Sequence, residues 1–359
     1  MEVLVDGHCH SVLAGDLDRA GFERACTEAH LPPPAGVSYM DSHVGLAIRR
    51  WCAPALGLPP HAGVDDYLRQ RELLGWQQVT SSLLRSAGLA ALLVDTGLDG
   101  LLDVAALAGS AGAAVHEVVR LEQVAEQLAG AVDAGTFASA FAEALDRRVR
   151  GAIAVKSIVA YRSGLAVPAA RPSPAEVRQA AGDWLRTGGR LTDPVLLHHI
   201  LWSGVDTGRP VQLHTGFGDR DIRLPAADPA LLQPFLAAVE PTGVPIVLLH
   251  CYPYHRQAGW LAQVYPHVYI DVGLTVTHLG TRAVGVLAEF FELAPFGKLL
   301  FSTDAYLLPE LFLVGAAQFR HSLRRILDDW RRDDAVSAAD AEWIAEQVCA
   351  RNAQRIYRL

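Results

Sequence analysis

Residues 5–12 read VDGHCHSV, with two histidines one residue apart. In an extended strand, residues i and i+2 face the same way, so His8 and His10 point together while Cys9 points opposite. Two imidazoles on one face can grip a single metal ion. Three further residues of ligating type stand where an apolar run stops: His214 in PVQLHTGFGD, His250 in PIVLLHCYPY and Asp304 in LLFSTDAY. Imidazole with carboxylate suits Zn²⁺, and also Mn²⁺ or Fe²⁺. One strand-end histidine alone reads equally well as a satisfied core residue. Five such groups at the ends of four apolar runs, the first, fifth, sixth and eighth of the chain, read as a metal centre holding one or two divalent ions.

The elements that must position them recur along the chain. Short β-rich runs cover residues 3–8, 91–95, 113–119, 152–158, 210–214, 245–250, 267–272 and 298–302, each followed by a longer helical stretch. Eight strand–helix units predict a (β/α)₈ barrel, a fold whose catalytic residues gather at the carboxyl ends of the strands. The runs are nearly continuous Val, Ile, Leu and Ala, as expected of strands covered on both faces. Residues 11–90 are too long for an ordinary connection and are broken by PPPAGVSYMDSH and GLPPHAGVDDY. They are expected to form a helical cap shielding the metal, with Trp51 and Trp76 in its core. Ser173, Pro174 and Glu176 mark a helix start, and residues 337–357 read as a closing helix. The chain is expected to be one domain over residues 1–359.

Composition excludes several classes. Of 359 residues, 51% are apolar and 19% charged, which suits a large packed core. Net charge is −8 with no Lys/Arg-rich run, which opposes a nucleic-acid surface. Five scattered cysteines without a CxxC pair favour reduced thiols in a cytoplasm. The amino terminus lacks a signal-peptide pattern, and no apolar stretch is long enough for a membrane span. The partner expected is a small-molecule substrate, and composition does not oppose a homo-oligomer.

The order HxH, His, His, Asp resembles the amidohydrolase superfamily of metal-dependent hydrolases. The strings GAIAVKSIVAYRSGL, VQLHTGFGD, LLHCYPYHRQAGWLA, LLFSTDAYLLPE and NAQRIY resemble one branch, that of glutamine synthetase-fused and nodulin-like amidohydrolase domains. The resemblance implies that His8 and His10 bind one metal and His214 and His250 a second. Asp304 would then hold the first metal and act as a base, with His250 also at the catalytic centre. Lys156 stands where many members carry a carboxylated lysine bridging two ions. A free lysine is neutral about once in 2,500 molecules at pH 7, a cost of about 4.6 kcal/mol, so burial beside cations would have to favour the amine that reacts with CO₂. The other reading of Lys156 is a cation that binds an acidic substrate.

Arg162, Arg120 and Tyr254 are candidate substrate contacts, because a guanidinium fork suits a carboxylate. Glu117 or Glu122 could instead neutralise Arg120, and Asp271 could support a histidine ligand. The function implied is hydrolysis of a small acidic amide by metal-activated water, with a γ-glutamyl amide suggested by the glutamine synthetase-fused relatives. A metal-dependent decarboxylase or other lyase is the first rival, and a non-catalytic binding protein the second.

Overall fold

The computed structural model describes residues 3–29 and 31–359. Eight parallel strands pair in sequence order: β1 (Leu4–Cys9), β2 (Leu89–Asp95), β3 (Ala114–Arg120), β4 (Ala154–Ser157), β5 (Val211–Thr215), β6 (Ile246–His250), β7 (Val268–Asp271) and β8 (Leu299–Leu300). The last strand is short, and the barrel is closed just beyond it. Gly7 N–H donates to Phe301 O at 3.0 Å, Asp304 N–H to His8 O at 3.0 Å and His10 N–H to Ala305 O at 2.8 Å. These bonds bring β1 and the Asp304 segment side by side.

Register sets the interior. Arg120 pairs with Lys156, and Lys156 with Gln212, so one row of polar side chains crosses β3, β4 and β5. Asp95 pairs with Val118, two residues before Arg120, which puts Asp95 and Arg120 on the same face. β6, with the sequence IVLLH, is buried throughout, as its unbroken apolar run requires.

Helix Pro174–Thr187 begins with the capping box expected of Ser173 and Glu176. The closing segment is helical from Ala338, with a π turn at Gln347–Arg351 before Asn352–Tyr357.

The long connection after β1 contains helices Arg19–Ala25, His43–Ala55, Val64–Leu74 and Trp76–Ala87. Its parts differ in position. Helix Trp76–Ala87 packs between Val104–Ala111, which follows β2, and Pro309–Arg332, which follows β8. It is therefore the ring helix that joins β1 to β2. Helix His43–Ala55 packs on Pro309–Arg332 and on Thr275–Leu279, beyond the end of β7. Trp51 sits half-buried against the core, while Trp76 is half-buried at its helix start. Buried Glu310 anchors this region to the barrel, accepting from Tyr67 Oη at 2.7 Å and pairing with Arg71.

Among the described residues no helix is long and apolar enough to cross a membrane, and none of the five cysteines forms a disulfide.

Candidate metal centre and mouth cavity

The first strand turns His8 and His10 into the barrel mouth, as alternation requires. His8 is fully buried and His10 nearly so. His250 ends β6 with φ 68°, and Asp304 follows β8 with φ 50°. Left-handed backbone at a residue other than glycine costs of order 1–3 kcal/mol, and such strain collects at functional sites. At His250 the backbone is held by Asp271, whose Oδ1 accepts the His250 N–H at 2.8 Å. The support foreseen from Asp271 thus reaches the backbone of His250 and not its ring, because the ring's Nδ1 faces Gly273 O at 3.2 Å.

The tethers of the three rings fix their lone pairs. His8 Nδ1 lies 2.8 Å from Gln212 Oε1. The Gln212 amide can only present its oxygen there, since its Nε2 donates to Gly7 O at 2.7 Å and to Tyr357 Oη at 2.8 Å. His10 Nδ1 meets Asp95 O at 3.2 Å. Each Nδ1 therefore carries the proton and donates it outward, and each Nε2 keeps an unprotonated lone pair, that of His8 lying 2.9 Å from Lys156 Nζ. Those lone pairs converge on one carboxylate: His8 Nε2 and His10 Nε2 lie 3.1 and 3.7 Å from Asp304 Oδ1, and His250 Nε2 lies 3.5 Å from Oδ2. Lone pairs facing a carboxylate repel unless a cation sits between them. The donor set fits a divalent ion. His8, His250 and Asp304 form one cluster of ligand atoms within 4.8 Å of one another, and His8, His10 and Asp95 form another.

Electrostatics agree. Burial holds His250 down at about 3 and His10 at about 4, so both rings are neutral at pH 7, the form in which imidazole can bind a metal. Burial would raise the Asp304 carboxyl, but positive charge at the edges of His250, His8 and His10, which a divalent ion there would supply in place of protons, outweighs it and holds the carboxyl well below the usual range. Burial also lowers the Lys156 amine, against the pull of Asp95 and Asp304. Lys156 Nζ lies 2.9 Å from His8 Nε2 and 3.9 Å from Asp95 Oδ2.

A cavity of about 260 Å³ opens above these groups, lined among others by His10, Glu28, Arg120, Lys156, Tyr161 and Asp304. Arg120 is neutralised by Asp95 on the neighbouring strand, with Nη2–Oδ2 at 2.7 Å, and not by Glu117 or Glu122. Glu117 instead pairs with Arg148 at 2.7 Å, because alternation turns it to the opposite face of β3. Arg162 and Tyr254, foreseen as substrate contacts, are not among the lining residues. Arg162 Nη2 turns to Glu126 Oε1 at 3.2 Å, and Tyr254 stands half-buried just before helix His255–Val264. His214 lines the cavity with its Nε2 buried and, among the described residues, without a hydrogen-bond partner, its ring 4.6 Å from that of His250. The two rings foreseen as holding a second ion thus lie side by side, and His250 Nε2 also faces Asp304 Oδ2.

Sequence reading passed over Asp95 and Gln212. Asp95 ends an apolar run, the same signal that marked His214 and His250. Gln212 stands two residues before His214 and so shares its face.

The sequence profile of the Amidohydrolase family matches residues 5–359. The chain belongs to the amidohydrolase family. Among solved structures, this amidohydrolase resembles a Lactobacillus casei protein provisionally described as a metal-dependent hydrolase. The two are 28% identical with a TM-score of 0.88, over 100% of this chain and 96% of that one. Glucuronate isomerase from Caulobacter crescentus shares the fold, at 14% identity and a TM-score of 0.66 over 99% of this chain and 91% of that one. Among curated proteins, Protein fluG of Emericella nidulans is 33% identical over 223 residues, or 58% of this chain. The chain spans about a quarter of that relative's length (26%).

Proposed function

We propose that this amidohydrolase hydrolyses the C–N bond of a small acidic amide, with Zn²⁺ as the preferred ion and a γ-glutamyl amide as the substrate type. The observation that carries this reading is the convergence of three tethered imidazole lone pairs on Asp304. His8, His10, His250 and Asp304 would hold the ion, with Asp95, Lys156 and His214 beside them. When bound, a divalent ion there supplies Lewis acidity to the substrate carbonyl and to water. The Asp304 carboxylate is ionised at neutral pH and faces the cavity, so it can accept the proton of the attacking water and return it to the departing amine. Glu28, from the connection after β1, and Leu98, from the loop after β2, line the cavity, while Arg120 offers its guanidinium edge to a substrate carboxylate.

Low proton affinity at Lys156 supports carboxylation, since only the neutral amine reacts with CO₂. The γ-glutamyl assignment is supported by the resemblance to glutamine synthetase-fused domains. A decarboxylase reading draws support from one contact: Lys156 beside Asp95 at 3.9 Å could retain its charge and hold a substrate carboxylate.

Purified protein is expected to carry one to two equivalents of Zn²⁺, and His8→Ala combined with His10→Ala to strip the first. Incubation of the loaded enzyme with γ-glutamyl anilide should release aniline. Stoichiometric metal surviving the double substitution would refute the centre, and CO₂ release from acidic substrates without amide cleavage would favour the lyase.

A further inference from the structure

The mouth cavity is uneven in charge. Each of its cations already faces a carboxylate of the protein: Arg120 is held by Asp95 at 2.7 Å, Arg190 by Asp221 at 3.0 Å, and Lys156 stands 3.9 Å from Asp95. Glu28 has no such relief. Among the described residues it makes no ion pair and accepts no hydrogen bond, and the charges it faces are those of Asp304 and Asp219. Burial, followed by those two carboxylates, pushes its carboxyl up to about 8. A carboxyl so placed holds its proton at neutral pH and gains its charge only when a cation comes within reach, so this wall suits a cationic group of a ligand.

Other groups on the same wall point to a ligand. His214, 4% exposed, presents to the cavity an Nε2 that has no hydrogen-bond partner among the described residues. Tyr161 and Tyr306 add two aromatic rings to the lining, and an aromatic face attracts a cation. The acids are held in place from opposite sides. Glu28 follows Thr27, whose carbonyl accepts from Tyr306 Oη at 3.0 Å. Asp219 lies beyond β5, with its N–H donating to Tyr161 Oη at 3.3 Å and its Oδ1 accepting from Asp221 N–H at 2.8 Å.

We propose that Glu28 and Asp219 recognise a primary ammonium group of the substrate, flanked by Tyr161 and Tyr306. Resting on the amide-hydrolase reading, this narrows the substrate to a zwitterion: an amide whose acyl part carries an amine as well as a carboxylate. A γ-glutamyl group has that constitution, and a glutaryl group lacks only the ammonium. The ammonium also bridges the segment carrying Glu28 to the loop after β5, which carries Asp219.

The test compares L-glutamate with glutarate by calorimetry on the metal-loaded protein. Glutamate should bind tighter by roughly tenfold to a hundredfold, the worth of one charge-assisted contact. Glu28→Gln, an isosteric change at a half-buried position, should bring the ratio close to one, and Asp219→Asn should reduce it. In turnover, the ratio of kcat/KM for γ-glutamyl anilide over glutaryl anilide should collapse in the same variants. Equal or tighter binding of glutarate by the unaltered protein overturns the proposal, as does failure of both acids to bind. Loss of a metal equivalent in Glu28→Gln also overturns it, because the acids would then be holding an ion. The outcomes separate from those of the parent reading. Glutamate preference without cleavage of either anilide removes the hydrolase and keeps the ammonium site. Cleavage of both anilides equally well does the reverse.

Discussion

Gln212→Leu isolates the tether that orients the His8 ring, and under the proposed function it tests that ring as a metal ligand. Gln212 Oε1 accepts from His8 Nδ1 at 2.8 Å, while Nε2 donates to Gly7 O and Tyr357 Oη. Leucine conserves most of the volume and removes all three bonds. Without an acceptor at Nδ1, the His8 ring is free to adopt the other tautomer or to rotate, and its Nε2 lone pair is no longer committed to the ion. Loss of such a partner typically weakens metal affinity by about 10- to 100-fold, which is about 1.4–2.7 kcal/mol. A second cost falls on the metal-free protein, since leaving Gly7 O and Tyr357 Oη without a donor costs about 1–3 kcal/mol of stability. Two assays separate these terms. Competition with a chromophoric chelator reads Zn²⁺ affinity, and urea unfolding of the chelator-stripped protein reads stability. If stability falls while affinity stays within twofold of the unaltered protein, Gln212 is a packing residue and the tautomer reasoning is refuted.

Other expectations follow from the same geometry. Under carboxylation, Lys156→Ala and Lys156→Arg should each lose one equivalent of metal, because arginine keeps the charge but cannot form the carbamate; full occupancy in both would put the lyase first. Glu310→Gln leaves buried Arg71 without its countercharge and should cost about 3–5 kcal/mol in urea unfolding, and a change below about 1 kcal/mol would show the tie to be dispensable. His267, at the amino-terminal end of β7 and so at the end of the barrel opposite the mouth, is held down at about 4 by burial and by Lys298. Its lowered value means that the stability it contributes is complete above its unfolded value near 6.5 and is lost as pH falls toward 4. His267→Leu should therefore flatten the acid limb of stability by up to about 1.4 kcal/mol per pH unit between those limits. Equal slopes in the two proteins would show that the ring gains its proton in the folded state.

Much of the fold was legible because parallel strands covered on both faces must be apolar throughout, and eight such runs announce themselves. The HxH pair was legible because a strand has a period of two, and His214, His250 and Asp304 because a polar residue at the end of an apolar run lies at the barrel mouth. Those rules are local, so sequence alone determined the strand count, the order of the ligating residues and the end of the barrel at which they meet.

Tertiary structure decided the partners. Arg120 had acids near it in sequence at Glu117 and Glu122, but the nearest one in space is Asp95, brought beside it by the parallel register of β2 and β3. Arg162 carries the right group for a carboxylate, yet its direction after β4 sends it to Glu126. Glu28 lies in a connection whose path over the mouth no periodicity encodes. The tautomers of His8, His10 and His250 depend on an amide or carbonyl supplied by distant strands and loops. Chemical type and facing direction are properties of a residue and its strand. Which two groups come within 3 Å depends on barrel closure, strand register and the course of long connections, and those are set by packing of the whole chain.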